Sequence, residues 1–117
     1  MESTKLGIDS KKVTETSLAD FSEIVYCKAE GSYTRIYTLN KSFLVTKVLK
    51  CFETLLPANG FIRIHKTYIV NTDFILCLKG YKRVVLKTDI ELPVSRRRRS
   101  LIVKKLSRTH LLIKLKD

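Results

Sequence analysis

From Phe21 onward the chain breaks into short β-branched and aromatic runs, separated every few residues by Gly, Asn, Asp, Pro or Ser. That texture leaves little room for a helical bundle and predicts a mainly-β domain of short antiparallel strands, since such side chains suit a pleated surface. A first strand is expected over residues 23–28. It ends at Ala29-Glu30-Gly31-Ser32, where Gly and Ser give the backbone freedom for a loop. Residues 33–39 alternate Tyr33, Arg35, Tyr37 and Leu39 against Thr34, Ile36 and Thr38, the mark of a two-faced strand. Asn40-Lys41 turns into a strand over 42–46. Residues 61–66 resume the alternation, with Phe61, Arg63 and His65 on one face, and 67–70 continue as an apolar run closed by Asn71-Thr72-Asp73. Asn71 and Asp73 suit a turn held by side-chain-to-backbone bonds. Strands over 74–78 and 83–87 flank a hairpin turn containing Gly80, and Thr88-Asp89 leads into a last strand over 90–93.

Two segments keep a helical period. In residues 47–56, Val48, Leu49, Phe52, Leu55 and Leu56 fall on one face, and Pro57 followed by Ala58-Asn59-Gly60 stops the helix. A second short helix is expected after Ser95, whose hydroxyl is placed to cap it, with Leu101, Ile102 and Leu106 as its apolar face. Its first residues are Arg96, Arg97, Arg98 and Arg99. Cations in a first helical turn oppose the helix dipole, so these arginines serve something other than helix stability. Residues 1–20 are polar and without period, a linker or unstructured lead-in to a domain over 21–108. Residues 109–117 form a short apolar-basic tail, packed on the domain or frayed.

Charge narrows the function. The 117 residues carry 23 Lys and Arg against 11 Asp and Glu, a net of +12. Residues 1–30 hold four Lys and six acids, a net of −2, so residues 31–117 carry +14. Such concentrated charge is either solvated or meets a polyanion, and a basic folded body behind a near-neutral leader points to nucleic acid. No apolar run approaches the roughly 20 residues that cross a bilayer. MESTKLGIDS lacks the pattern of a secretory signal, so a cytoplasmic protein is expected. Cys27, Cys51 and Cys77 are odd in number and widely spaced, which suits buried hydrophobes better than disulfides or a zinc site. Two histidines, unclustered glycines and sparse acids offer no catalytic residues, metal site, cofactor or small-molecule substrate, so no enzyme is expected. The rival reading is a β-domain for single-stranded nucleic acid or RNA, with Tyr33 and Tyr37 as a stacking platform. Against it, Trp is absent and the arginines cluster beside a helix start. A basic surface on acidic lipid is weaker still, for want of apolar anchors.

Four segments carry a more specific resemblance: IVYCKAEGSYTRIYT at 24–38, VLKCFETLLP at 48–57, FIRIHKTYIVNTD at 61–73 and PVSRRRRS at 93–100. In order and separation they resemble the LytTR family, the output DNA-binding domains of bacterial LytR/AlgR/AgrA-type response regulators of two-component systems. The resemblance covers residues 21–108. It implies short antiparallel strands in small stacked sheets with one or two short helices. It also implies a transcription regulator that reads double-stranded DNA through loops at strand ends, entering successive major grooves of direct repeats. By position, the base-reading candidates are Thr34, Lys66 and Arg97. Arg97 can donate two parallel hydrogen bonds to guanine O6 and N7, and Lys66 can donate to the same edge as a point charge. Ser32, Tyr33, Arg35, Arg63, Arg96, Arg98 and Arg99 are candidates for the DNA backbone, as are Lys41, Lys82 and Arg83, with solvated surface as the alternative. Consecutive arginines on a helix point about 100° apart, so the four cannot share one groove. His65 is read as structural or hydrogen-bonding instead of a DNA contact. The family arrangement places a receiver domain upstream, so the chain is expected to be stand-alone or the output half of a longer regulator. Dimerisation would come from that receiver or form on DNA.

Overall fold

In the computed structural model, the described residues are 21–108 and 115–116; the expected lead-in and most of the tail lie outside them. β1 (Ile24–Glu30) opens with four consecutive buried residues, Ile24, Val25, Tyr26 and Cys27. A strand with one wet face would alternate, so β1 must be covered on both sides. Ile24 pairs with Thr38 and Tyr26 with Tyr37, leaving Val25 as the extra residue of a bulge. The bulge turns Val25 and Tyr26 to one face, while Ile24 and Cys27 serve the other.

Around β1 the chain adds β2 (Tyr33–Thr38), β3 (Ser42–Val45), β4 (Phe61–His65) and β5 (Tyr68–Asn71), all antiparallel, in the order β3-β2-β1-β5-β4. A second sheet has the order β8-β7-β6-β9, from β6 (Ile75–Lys79), β7 (Arg83–Leu86), β8 (Glu91–Pro93) and β9 (Leu115–Lys116). β9 pairs with β6 in parallel, so that part of the expected tail is docked on the domain. The first core joins Ile24, Cys27, Ile36 and Ile69 of the five-stranded sheet to Leu49, Phe52 and Leu56 of helix α1 (Leu49–Leu55) and its C-cap. The second joins Val25, Ile62, Ile64 and Val70 on the opposite face to Leu78, Val84 and Leu86 of the second sheet. Helix α2 (Arg99–Arg108) seals it with Ile102 and Leu106. This mainly-β architecture of stacked antiparallel sheets with two short helices is the one expected.

Several details differ from expectation. The two-residue turn Gly31-Ser32, with Gly31 at φ 61, lets β1 run on to Glu30 instead of stopping at Lys28. α1 is shorter than 47–56 and its buried face narrower: Val48 and Leu55 are exposed, because Leu49, Phe52 and Leu56 already fill the contact. Leu101, expected on the apolar face of α2, is also exposed. Arg96, Arg97 and Arg98 form a 3-10 turn that precedes α2, and Ser95 makes no side-chain cap bond to it. Cys27 and Cys77 are buried as expected, and burial pushes the Cys27 thiol pKa up to about 12; Cys51 on α1 is half-exposed. Asn71 behaves as read: its amide donates to the Ile24 carbonyl at 2.8 Å, and its Oδ1 accepts from the Asp73 N–H at 2.9 Å.

The narrow helix face makes a quantitative difference between two residues of the same pattern. Phe52 is fully enclosed, whereas Leu55 is 40% exposed. Phe52→Ala is expected to cost about 3–5 kcal/mol in denaturant unfolding, and Leu55→Ala less than about 1 kcal/mol. Equal losses would mean that α1 docks through a different face.

Candidate nucleic-acid interface

Three backbone hydrogen bonds decide what stands beside what. Ala29 N–H donates to Thr67 O at 2.8 Å, so the β1–β2 turn lies beside the β4–β5 turn at Lys66-Thr67. Ser95 N–H donates to Ile64 O at 2.9 Å, which seats the arginine turn against the end of β4. Val94 N–H donates to Lys82 O at 2.9 Å, adding the β6–β7 turn. Strand-end turns far apart in sequence thus meet along one edge. Lys41, in the β2–β3 turn, lies at the opposite end of β2.

Ser32 and Tyr33 are exposed at this edge, Tyr33 with 47% of its surface free. Lys66 is exposed at the tip of its turn, and Arg96 and Arg97 are exposed on the 3-10 turn. Among the described residues no carboxylate pairs with Lys66, Arg96 or Arg97; the ion pairs go to Arg35, Arg63, Lys79 and Arg83. Arg98 is half-buried and shares a cleft with Glu53 and Arg63. Arg99 begins α2, with its Nε enclosed and without a hydrogen-bond partner.

Three of the expected contact residues have partners within the fold. Thr34 has 0% of its surface free, and its hydroxyl donates to Lys47 O at 2.7 Å, fastening the start of β2 to the segment entering α1. It is a core residue, because it sits on the inward side of the alternation with Ile36. Arg35 is held in a cross-strand pair, its Nε donating to Glu30 Oε2 at 3.0 Å and a terminal nitrogen to Ser42 Oγ at 3.3 Å. Arg63 is committed further. Its Nε donates to His65 O at 2.8 Å, one terminal nitrogen to Lys66 O at 2.7 Å and the other to Glu53 Oε1 at 2.6 Å. Its side chain is only 14% exposed.

His65, read as hydrogen-bonding, accepts from the Thr67 N–H through Nδ1 at 3.1 Å. Its pKa is lowered from 6.5, first by burial and then by the charges of Lys66, Arg98 and Arg63. Its ring leans on Tyr68, which leans on Tyr26, and Tyr26 stacks on Tyr37 with centroids 4.3 Å apart. Tyr37 is therefore tied into an aromatic row instead of standing free. Glu53 and Lys105 were not read as part of this region. Lys105 joins α2 to the start of β4 by donating to Ala58 O at 2.7 Å. Bonds to backbone carbonyls leave no mark on the identity of the accepting residue, so no sequence signal foretold them.

The structure thus combines a basic edge of strand-end turns with a double-sheeted β scaffold. Residues 14–107 match the sequence model of the LytTr DNA-binding domain, and the chain belongs to that family. It is 29% identical over 83 residues to the sensory transduction protein LytT of Bacillus subtilis; the match covers 68% of this chain and 34% of that protein. The chain thus spans about a third of the length of that relative. It also resembles a solved LytTr DNA-binding domain from Bacillus cereus, with a TM-score of 0.69 and 28% identity, covering 74% of this chain and 83% of that one.

The His65 environment gives a pH dependence. A lowered imidazole pKa means that the unfolded chain takes up its proton at higher pH than the folded one, so stability rises with pH between the two values. The contribution is complete above 6.5 and is lost as pH falls through the lower folded value. Denaturant midpoints are expected to drop on acidification below about pH 6.5, and His65→Gln to flatten that drop. An unchanged profile in the variant would place the titration elsewhere.

Proposed function

We propose that this domain binds double-stranded DNA sequence-specifically as the output part of a two-component transcription regulator. Its adjoining turns enter successive major grooves of direct repeats. The observation that carries this reading is the row of cations at one edge, Lys66, Arg96 and Arg97, without a carboxylate partner among the described residues and set on turns that the sheet holds together. Arg97 and Lys66 read bases, Arg97 by a two-pronged contact with guanine and Lys66 as a point donor. Arg96 and the edge residues Ser32 and Tyr33 grip the backbone. Thr34 has no part in it, since its hydroxyl is spent inside the fold. A phosphate-rich partner also explains why cations are placed where they oppose the dipole of α2. The target places the protein in the cytoplasm. Paired half-sites would be occupied through dimerisation by a receiver domain or on the DNA itself, which raises the effective concentration of the second domain.

The single-stranded alternative needs exposed aromatics side by side. Tyr33 is free but Tyr37 is packed on Tyr26, so the platform is missing.

Selection from a random duplex library at near-physiological salt is the direct test, and one enriched motif, spaced as direct repeats, is expected. On that motif Arg97→Ala should cost about 1–3 kcal/mol and relax preference at one base position. Arg96→Ala should weaken all duplexes alike and flatten the slope of log K against log salt by about 1. No enrichment, with binding that vanishes as salt rises, would leave phosphate attraction alone. If Arg97→Ala weakens selected and random DNA equally, its base-reading role is wrong.

A further inference from the structure

We infer that Arg63 is a positioning residue for Lys66, and that it sets base discrimination through the shape of the β4–β5 turn without touching DNA. The inference rests on the reading of Lys66 as a base contact. The guanidinium spans three separate elements of structure. It holds the carbonyls of His65 and Lys66, which bracket the entrance to the turn, and ties both to Glu53 on α1. A planar fork fixes these acceptors in one plane, which an ammonium on a flexible stem cannot do.

The turn needs such a brace. Arg63 pairs with Ile69 and His65 with Tyr68, so Ile64 is the extra residue of a bulge directly before Lys66. Bulges bend and twist a strand end, and the direction of that bend decides where the next side chain points. Beyond the pairing of His65 with Tyr68, Ala29 N to Thr67 O and Thr67 N to His65 Nδ1 also tie the turn, and both hold Thr67, not Lys66. Arg63 is therefore the side chain that holds the backbone of Lys66 itself. Because α1 is packed on the core through Phe52, its Glu53 gives the brace a rigid footing. The same carboxylate neutralises Arg63, so that the charge left at the edge is that of the residues meant to meet DNA.

A phosphate contact and a brace make opposite forecasts. Losing a phosphate contact lowers affinity for every duplex and reduces the salt slope by about 1, whereas losing a brace spares both and degrades discrimination. Arg63→Lys, which keeps the charge, and Glu53→Gln, which keeps the shape of α1, are to be compared with the unaltered full chain. Readouts are binding to the selected duplex and a scrambled duplex over a salt series, and amide hydrogen exchange at Lys66 and Thr67. Arg63→Lys is expected to bind the selected duplex about tenfold more weakly, while the scrambled duplex and the salt slope stay as they were; Glu53→Gln, which also leaves the Arg63 charge unneutralised, is expected to narrow the ratio between selected and scrambled duplex. Exchange at the turn should quicken about tenfold, and the thermal transition confirms folding. Equal losses on both duplexes with a flatter slope would make Arg63 a phosphate contact and overturn the inference. Unchanged discrimination with unchanged exchange would overturn it too. If the unaltered chain itself fails to discriminate, the DNA reading falls, and exchange alone decides whether Arg63 holds the turn.

Discussion

The central sheet is covered on both faces, and the placement of every later element depends on that burial. β1 lies in the middle of the five strands, with β2 and β5 as neighbours, so it can neither slide nor tilt without exposing Ile24 and Cys27 on one side or Val25 and Tyr26 on the other. A one-residue slip would exchange those sets between two cores, each packed around the side chains it already holds. The bulge at Val25 is what allows two consecutive residues to serve the same core. Once β1 is fixed, the ends of its neighbours are fixed too, and with them the turns that form the basic edge.

Those turns owe their proximity to backbone groups. The Ala29–Thr67 and Ser95–Ile64 hydrogen bonds satisfy donors that would otherwise lie unpaired near the surface of a packed sheet. Their consequence is larger than their individual strength of about 1 kcal/mol. They bring residues 31–33, 66–67 and 95–98 into one row at the edge of the sheet. Arg63 and Lys105 extend the same logic with side chains that donate to carbonyls of the β4 region.

What the sequence made legible follows from how local each signal is. Strand order of hydrophobic and polar residues is a local pattern, so the β runs, the proline stop after α1 and the hairpin at Gly80 were all readable. Gly80 does enter its turn at φ 59, though Tyr81 beside it also adopts φ 61, which nothing in a tyrosine announces. The width of a buried helical stripe is not written in the pattern: Val48, Leu55 and Leu101 matched helical faces, yet only Leu49, Phe52 and Leu56 at α1 and Ile102 and Leu106 on α2 are buried. The candidate edge was legible as residues that a resemblance singled out, but not as chemistry. Thr34 and Arg63 look available in a string of letters. Their commitments, Thr34 to Lys47 O and Arg63 to His65 O and Lys66 O, are to backbone carbonyls, and a carbonyl has no letter of its own.

The distribution of carboxylates separates the cations by role. Glu30 and Glu53 lie close to the basic edge, where an unpaired acid would repel a phosphate backbone, and each is taken up by an arginine of the scaffold. Lys66, Arg96 and Arg97 have no such partner among the described residues. Two like charges about 4 Å apart repel by about 1 kcal/mol even in water, and more where the dielectric is lower. Clustered cations carry such a cost, and the His65 pKa, lowered first by burial, is lowered further by the charges of Lys66, Arg98 and Arg63. A fold sustains that cost only if its stability comes from elsewhere, and here two apolar cores supply it, one of them reaching the edge through Ile64 and Val94. Salt relieves the repulsion within the domain and at the same time weakens attraction to a polyanion. The two effects oppose each other in sign, which is what distinguishes an edge kept charged for a partner from a surface that is merely solvated.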